Sequence, residues 1–146
     1  MMQTKVKDLM TENPDLISPD ATIQEAAEKM EKLNCGILPV GTRDKLEGII
    51  TDRDIVIRAI THGENPKKQM VNYYMTKEVF TCAENDNLEK AADQMRKHKV
   101  SRLIVTDDEG QVSGILSFGC ILRKEASTKE ISNVIEHAIG KRKNAS

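Results

Sequence analysis

The clearest periodic run in the chain is Ile23, Ala26, Ala27, Met30 and Leu33, spaced to put five apolar side chains on one face of a helix. Thr22 with Glu25 three residues on is a capping box, so that helix starts at Thr22. Gly36 is expected to break it. The run Ile37-Leu38-Pro39-Val40 then reads as a strand, and because Pro39 offers no ladder donor, that strand is expected to be an edge or irregular there. Thr42 to Lys45 turn the chain into a second strand, Leu46 to Thr51, and a helix from about Asp52 to Ile60 follows, its apolar positions being Ile55, Ile57 and Ile60. Upstream, Val6 to Met10 is a short periodic segment that ends at the turn-rich Glu12-Asn13-Pro14-Asp15, and Leu16-Ile17 is briefly extended.

The pattern then restarts. Met75-Thr76 repeats Met10-Thr11, Ala91-Ala92 repeats Ala26-Ala27 and Met95 repeats Met30, all at an offset of 65. Beyond Asp107-Asp108-Glu109-Gly110, a loop one residue longer than its counterpart, the offset is 66, and Gly114-Ile115 repeats Gly48-Ile49. Two copies are too few for a solenoid and are expected to pack on each other about a pseudo-two-fold axis. The organisation expected is α+β: a first repeat over 5–61, a polar linker over 62–69 carrying Gly63 and Pro66, a second repeat over 70–126, and a C-terminal helix and tail over 127–146. In that last helix Ile131, Val134, Ile135, Ala138 and Ile139 share a face, and Gly140 ends it.

Charge and composition narrow the function classes. A formal charge of −1 with both signs interspersed gives no field that seeks a polyanion, so neither a nucleic-acid nor a membrane partner is expected. Lys67-Lys68 and Lys141-Arg142-Lys143 read as solvated ends. Three scattered cysteines, with no apolar leader and no run near the ~18 residues of a membrane span, point to a reduced, cytoplasmic setting. His62, His98 and His137 read as surface histidines and make no metal site. No Ser-His-Asp set, paired acid and base or P-loop stands out, so no enzyme, cofactor or metal is expected.

The most telling stretch is Gly48-Ile49-Ile50-Thr51-Asp52-Arg53-Asp54, with its weaker copy Gly114-Ile115-Leu116-Ser117-Phe118-Gly119-Cys120. Thr51 and Asp54 have a sufficient local role, the Thr capping the helix and the acid complementing its positive end. The same carboxylate can instead, or also, accept two hydrogen bonds from vicinal ribose hydroxyls, with Thr51 on a ribose or phosphate oxygen. In the second copy Ser117 keeps the hydroxyl, but Cys120 replaces the acid and cannot grip a diol in that way.

The Met-Thr opening, the Ala-Ala helix, the strand containing Pro39-Val40 and the Gly48-to-Asp54 junction, recurring together, resemble a tandem pair of cystathionine-β-synthase (CBS) domains over about residues 5 to 126. The chain looks like the small stand-alone proteins made of one such pair. The resemblance implies a β-α-β-β-α unit per repeat, two three-stranded sheets packed together, and a cleft with two pseudo-equivalent sites. Such clefts commonly take AMP, ATP or S-adenosylmethionine, and the pair often dimerises. On that resemblance Thr51 and Asp54 hold a ribose, while Ser101 and Arg102 reach the phosphate across the cleft. Ile17, Leu38, Pro39 and Ile49 would line an apolar slot for the purine, and Phe80 is counted with the ligand-binding residues. A second, weaker site would draw on Arg53, Ile115, Ser117 and Cys120, and Gly119 stands where some relatives place a phosphate-binding Lys.

The expected function is therefore a regulatory module that senses an adenosine derivative, as a homodimer, with a regulated protein as a further partner. A ligand-free dimerisation or adaptor module built on apolar helix faces, Ile131 to Ile139 among them, is the alternative from another class.

Overall fold

The computed structural model describes residues 4–124 and 128–140, so Ala126 and Lys141-Arg142-Lys143 fall outside the described residues. The elements are α1 (Val6–Leu9), β1 (Thr11–Glu12), α2 (Ile23–Leu33), β2 (Ile37–Gly41), β3 (Leu46–Thr51) and α3 (Asp52–Asp54), which runs on as a π-wound turn, Ile55–Ile60. A 3-10 turn, Val71–Tyr73, precedes β4 (Thr81–Ala83), α4 (Leu88–His98), β5 (Arg102–Thr106), β6 (Val112–Ser117), α5 (Phe118–Arg123) and α6 (Thr128–Ile139).

Two compact units divide the chain, and they are not the two sequence repeats. The inner unit is Pro14–Val79, and the outer unit joins the segment up to Asn13 to everything from Phe80 onward. Each repeat thus donates its opening segment to the other repeat's core. Val6, Leu9 and Met10 are buried with Met95, Leu103 and Leu116 of the outer unit. Their counterparts Val71 and Met75 are buried with Met30, Leu38 and Ile50 of the inner one.

The exchange corrects the expected pair of three-stranded sheets. In the outer unit β1 pairs with β6 (Thr11 opposite Ile115) and the sheet has four strands, in the order β1-β6-β5-β4. The inner sheet is the antiparallel pair β2-β3, extended at its edges only by single bridges, Ile17 to Val40 and Ile49 to Thr76. Pro39 accounts for the shorter inner edge. Its counterpart Ile104 donates its N–H to the Phe80 carbonyl at 3.1 Å, which lengthens the parallel β4-β5 ladder. Proline has no such donor, and the backbone of Ile17 is tied to β2 by its own N–H to the Pro39 carbonyl (3.0 Å) and by the Gly41 N–H to its carbonyl (2.9 Å).

Local signals set most of the helix ends. Thr22 Oγ accepts from the Glu25 N–H at 3.1 Å, and Asn87 Oδ1 accepts from the Lys90 N–H at 2.8 Å, each satisfying an orphan amide. The stop of α2 is Asn34, in the left-handed region at φ 52°, rather than Gly36. Gly36 serves a different contact, since a Cβ there would stand 2.8 Å from Asp52 Oδ2. Segment 62–69 belongs to the inner unit. It meets the first turn of α2 through the Ile23 N–H to the Gln69 carbonyl and the Gln24 N–H to the Pro66 carbonyl.

Two apolar faces differ from their periodicity. Beyond α3 the N–H groups of Thr61 and Glu64 bond the carbonyls of Val56 and Ala59, five residues back. That winding buries Ile55 and Ala59 and turns Ile57 and Ile60 outward, 48% and 50% exposed. In α6, Val134 and Ala138 are buried in the outer core, while Ile135 and Ile139 face away. Ala92 of α4 is buried in that same core, whereas its counterpart Ala27 is exposed.

All three thiols are free. Burial, then the charge of Asp86, pushes the Cys82 thiol up to about 12 from 9.0. Its folded pKa lies above its unfolded one, so the contribution is complete below pH 9.0 and lost toward pH 12. Through that window unfolding stability should fall by up to about 1.4 kcal/mol per pH unit more in the wild type than in Cys82→Ala. Urea titrations of both proteins at alkaline pH check this, and parallel curves would contradict it.

Candidate functional site

Strand β3 delivers Thr51 to the start of α3, where two reciprocal hydrogen bonds lock the turn. The Asp54 N–H donates to Thr51 Oγ and the Thr51 N–H donates to Asp54 Oδ2, both at 3.0 Å. The capping reading is thus satisfied, and it leaves the Thr51 hydroxyl proton available to donate. Asp54 is the one buried charged residue among the described residues, at 9% exposure. Burying a carboxylate needs compensating donors, and here they arrive from the next repeat's opening. Thr76 Oγ donates to Asp54 Oδ1 at 3.2 Å and Oδ2 at 3.3 Å. Arg58 Nε lies 3.7 Å from Oδ1, and Arg58 Nη1 donates to the carbonyls of Tyr74 (3.4 Å) and Met75 (3.3 Å).

The outer unit builds the same arrangement around a thiol. Ser117 Oγ accepts from the Cys120 N–H at 3.1 Å, and Thr11 Oγ lies 3.2 Å from Cys120 Sγ, as Thr76 lies against Asp54. Lys124, the counterpart of Arg58, donates to the Met10 carbonyl at 2.6 Å. Burial on its own raises the Cys120 pKa, but hydrogen bonds from Ser117 and Thr11 outweigh it and leave the thiol lowered. Cys120 is 3% exposed, buried as a free cysteine usually is.

Neither Thr76 nor Arg58, nor Thr11 nor Lys124, is singled out by the sequence as a site residue. The only signal is that each pair recurs at the repeat offset with its chemistry kept, a hydroxyl in one case and a cation in the other.

With both junctions in view, the comparison with known proteins is decisive. The model of the CBS domain matches the chain twice, over residues 6–60 and 71–127. The chain belongs to the CBS domain family. It is 33% identical over 132 residues to the CBS domain-containing protein YhcV of Bacillus subtilis (strain 168), covering 90% of this chain and 93% of that protein. Among solved structures it is similar to the CBS domain pair of protein MJ0100, in complex with 5′-methylthioadenosine and S-adenosyl-L-methionine. That likeness has a TM-score of 0.73 and 32% identity, over 84% of this chain and 95% of the other. It is also similar to CBSX2 in complex with AMP, at a TM-score of 0.66 and 27% identity, over 82% of this chain and 94% of that one.

The remaining candidate residues of this CBS pair separate by unit and by face. In the inner unit Pro39 stands opposite Ile49, with Ile17 beside them, bonded to the Pro39 carbonyl. Leu38 lies on the other face of β2, opposite Ile50, and belongs to the core with Ile23 and Met30. Arg53 is exposed on the turn. In the outer unit Arg102 pairs with Ser117 and Ile104 with Ile115, which puts Arg102, Ile115 and Ser117 on the face away from Leu103 and Leu116. Ser101 and Arg102 are exposed. Phe80 is half-buried, and one face of its ring is stacked on His98 with centroids 3.8 Å apart.

Two of the histidines are therefore engaged rather than free on the surface. His98 takes Phe80, and His137 Nδ1 lies 2.8 Å from Asp93 Oδ1, tying α6 to α4. Among the described residues no group of three or more His, Cys, Asp or Glu could hold a metal, and no helix is long and apolar enough to cross a membrane.

The inner junction depends on the absence of a side chain at Gly48, where a Cβ would stand 2.7 Å from the Thr76 carbonyl oxygen and 3.0 Å from Met75 Sδ. Gly48→Ala should destabilise the protein by about 1–3 kcal/mol, the usual cost of overpacking. Chemical denaturation checks this. A midpoint unchanged from wild type would mean that the opening segment does not press on β3 as described.

Proposed function

We propose that this CBS pair is a regulatory ligand-sensing module that binds an adenosine derivative, with Asp54 accepting the ribose hydroxyls and Thr51 donating to a ribose or phosphate oxygen. One observation carries the reading. Asp54 is a nearly buried carboxylate held by a reciprocal cap at the strand-to-helix junction, and helix capping alone does not require an acid to be buried. AMP, 5′-methylthioadenosine and S-adenosylmethionine, the ligands of CBSX2 and the MJ0100 pair, all carry a ribose with vicinal hydroxyls. Pro39, Ile49 and Ile17 are the apolar neighbours proposed for the base, and Ser101 and Arg102 are retained, on their chemistry alone, for the phosphate. The mechanism is differential affinity: a ligand favours whichever conformation it binds better, and a regulated partner reads that shift.

Because Cys120 stands where the acid would be, calorimetry with AMP should give one strong site per chain. Asp54→Asn should weaken that site by roughly ten- to a hundredfold while lowering stability by no more than about 1 kcal/mol. Arg102→Ala should weaken AMP and spare adenosine. Intact AMP binding in Asp54→Asn would reduce the carboxylate to a helix cap, and two equal tight sites would refute the asymmetry.

A homodimer is part of the same proposal. Val56, Ile57 and Ile60 are each about half exposed, and Leu122, the counterpart of Val56, is 60% exposed, which is more apolar helix surface than a small domain leaves unpartnered without use. Light scattering at micromolar concentration should report a dimer, and Ile57→Glu should shift it toward monomer. A wild-type monomer would count against it.

A further inference from the structure

Resting on the diol reading of Asp54, we infer that the Thr76 hydroxyl is a latch that competes with the ligand for that carboxylate and so couples occupancy to the segment joining the two units. Thr76 shares its single proton between both carboxylate oxygens, at 3.2 and 3.3 Å, and therefore sits on the edge where the two oxygens lie side by side. A vicinal diol that grips a carboxylate with two hydroxyls uses that same edge. Away from that edge, Oδ2 accepts the Thr51 N–H at 3.0 Å and Oδ1 faces Arg58 Nε at an ion-pair distance of 3.7 Å. Diol and latch exclude each other.

Displacing the latch acts on one short stretch of chain. Both side chains that reach Asp54 from beyond its own turn hold Tyr74 to Thr76: Thr76 belongs to that stretch, and Arg58 donates to the carbonyls of Tyr74 and Met75. The Thr76 backbone is held independently, its N–H donating to the Ile49 carbonyl at 2.7 Å and its carbonyl accepting from the Ile49 N–H at 2.9 Å, so the hydroxyl can turn away without first breaking the bridge. Three residues later, at Val79 and Phe80, the chain leaves the inner unit for the outer one. Ligand binding thus removes a side-chain tie from the last anchored point before the crossing. By reciprocity, anything that loosens residues 74–79 raises ligand affinity. The outer unit keeps the tie, Thr11 to Cys120 at 3.2 Å, where no carboxylate is present to bind a diol. The tie is therefore part of the fold at both junctions, and only at Asp54 does it also guard a diol acceptor.

The test uses the full chain, AMP and 5′-methylthioadenosine as probes, calorimetry, and amide hydrogen exchange read over residues 74–79. Thr76→Val, which keeps the shape and removes the hydroxyl, should bind both probes about threefold to tenfold tighter than wild type, the worth of one long hydrogen bond shared between two oxygens. Thr76→Ser should match wild type. Exchange over 74–79 should rise when the wild type binds AMP and should not rise further in Thr76→Val. Unchanged or weaker binding by Thr76→Val overturns the latch, and if that variant does not fold, absence of the exchange rise in wild type does so. Asp54→Asn keeps the two claims apart. If it binds like wild type, or if neither probe binds the wild type at all, the diol reading fails and the latch with it; if it binds weakly while Thr76→Val is no tighter, the latch alone fails.

Discussion

The arrangement of both junctions depends on a backbone contact, the seating of a Met-Thr segment against a glycine-led strand. The Thr76 carbonyl can accept from the Ile49 N–H only because Gly48 has no side chain, and the Thr11 carbonyl lies against Gly114 in the same way, 3.0 Å from where a Cβ would stand. Once the backbone is seated, the threonine side chain has a fixed reach, and what it meets is the third residue of the following helix, Asp54 in one unit and Cys120 in the other. The burial of Met10 and Met75 in the cores of opposite units is the apolar half of the same contact. A Cβ at either glycine would disturb the anchoring methionine and the polar tie together.

That geometry explains which parts of the fold were legible in the sequence. Helix α2 was, because its cap and the buried Ile23, Ala26 and Met30 sit within one stretch, although Ala27 and Leu33 of the same periodic run are exposed. The Thr51-Asp54 cap was legible for the same reason, the two residues being three apart. Thr76 and Arg58 were not. Thr76 lies 22 positions from Asp54, and the repeat offset that made Thr76 equivalent to Thr11 says which residues correspond, not which ones touch. The exchange of opening segments inverts the natural guess that a segment packs within its own repeat. Ile57 and Ile60 were misplaced because their spacing was read at 3.6 residues per turn, whereas bonds five residues long open the helix there. Gly36 looked like the stop for α2, but Asn34 already adopts the left-handed conformation, and the glycine answers instead to Asp52, whose closeness no local pattern encodes.

The two junctions share a frame and differ in what the frame holds. At each, a hydroxyl caps the turn, a threonine arrives from the other repeat's opening, and a cation one turn further on binds the methionine carbonyl of that opening. Replacing Asp54 by its counterpart Cys120 removes a charge from a nearly buried position and exchanges charge-assisted hydrogen bonds for weak ones to sulfur. The thiol junction is therefore the easier one to stabilise by packing alone, and the carboxylate junction is the one whose burial calls for a reason beyond stability. A buried acid whose donors are a backbone amide, a shared hydroxyl at more than 3 Å and a half-exposed arginine at 3.7 Å is incompletely compensated. In the proposed function a diol completes that compensation with two hydroxyl donors at once, displacing the one hydroxyl already present. On that proposal, affinity and release of the Thr76 tie are a single event at one carboxylate, so a signal can leave this junction without any large movement at the junction itself.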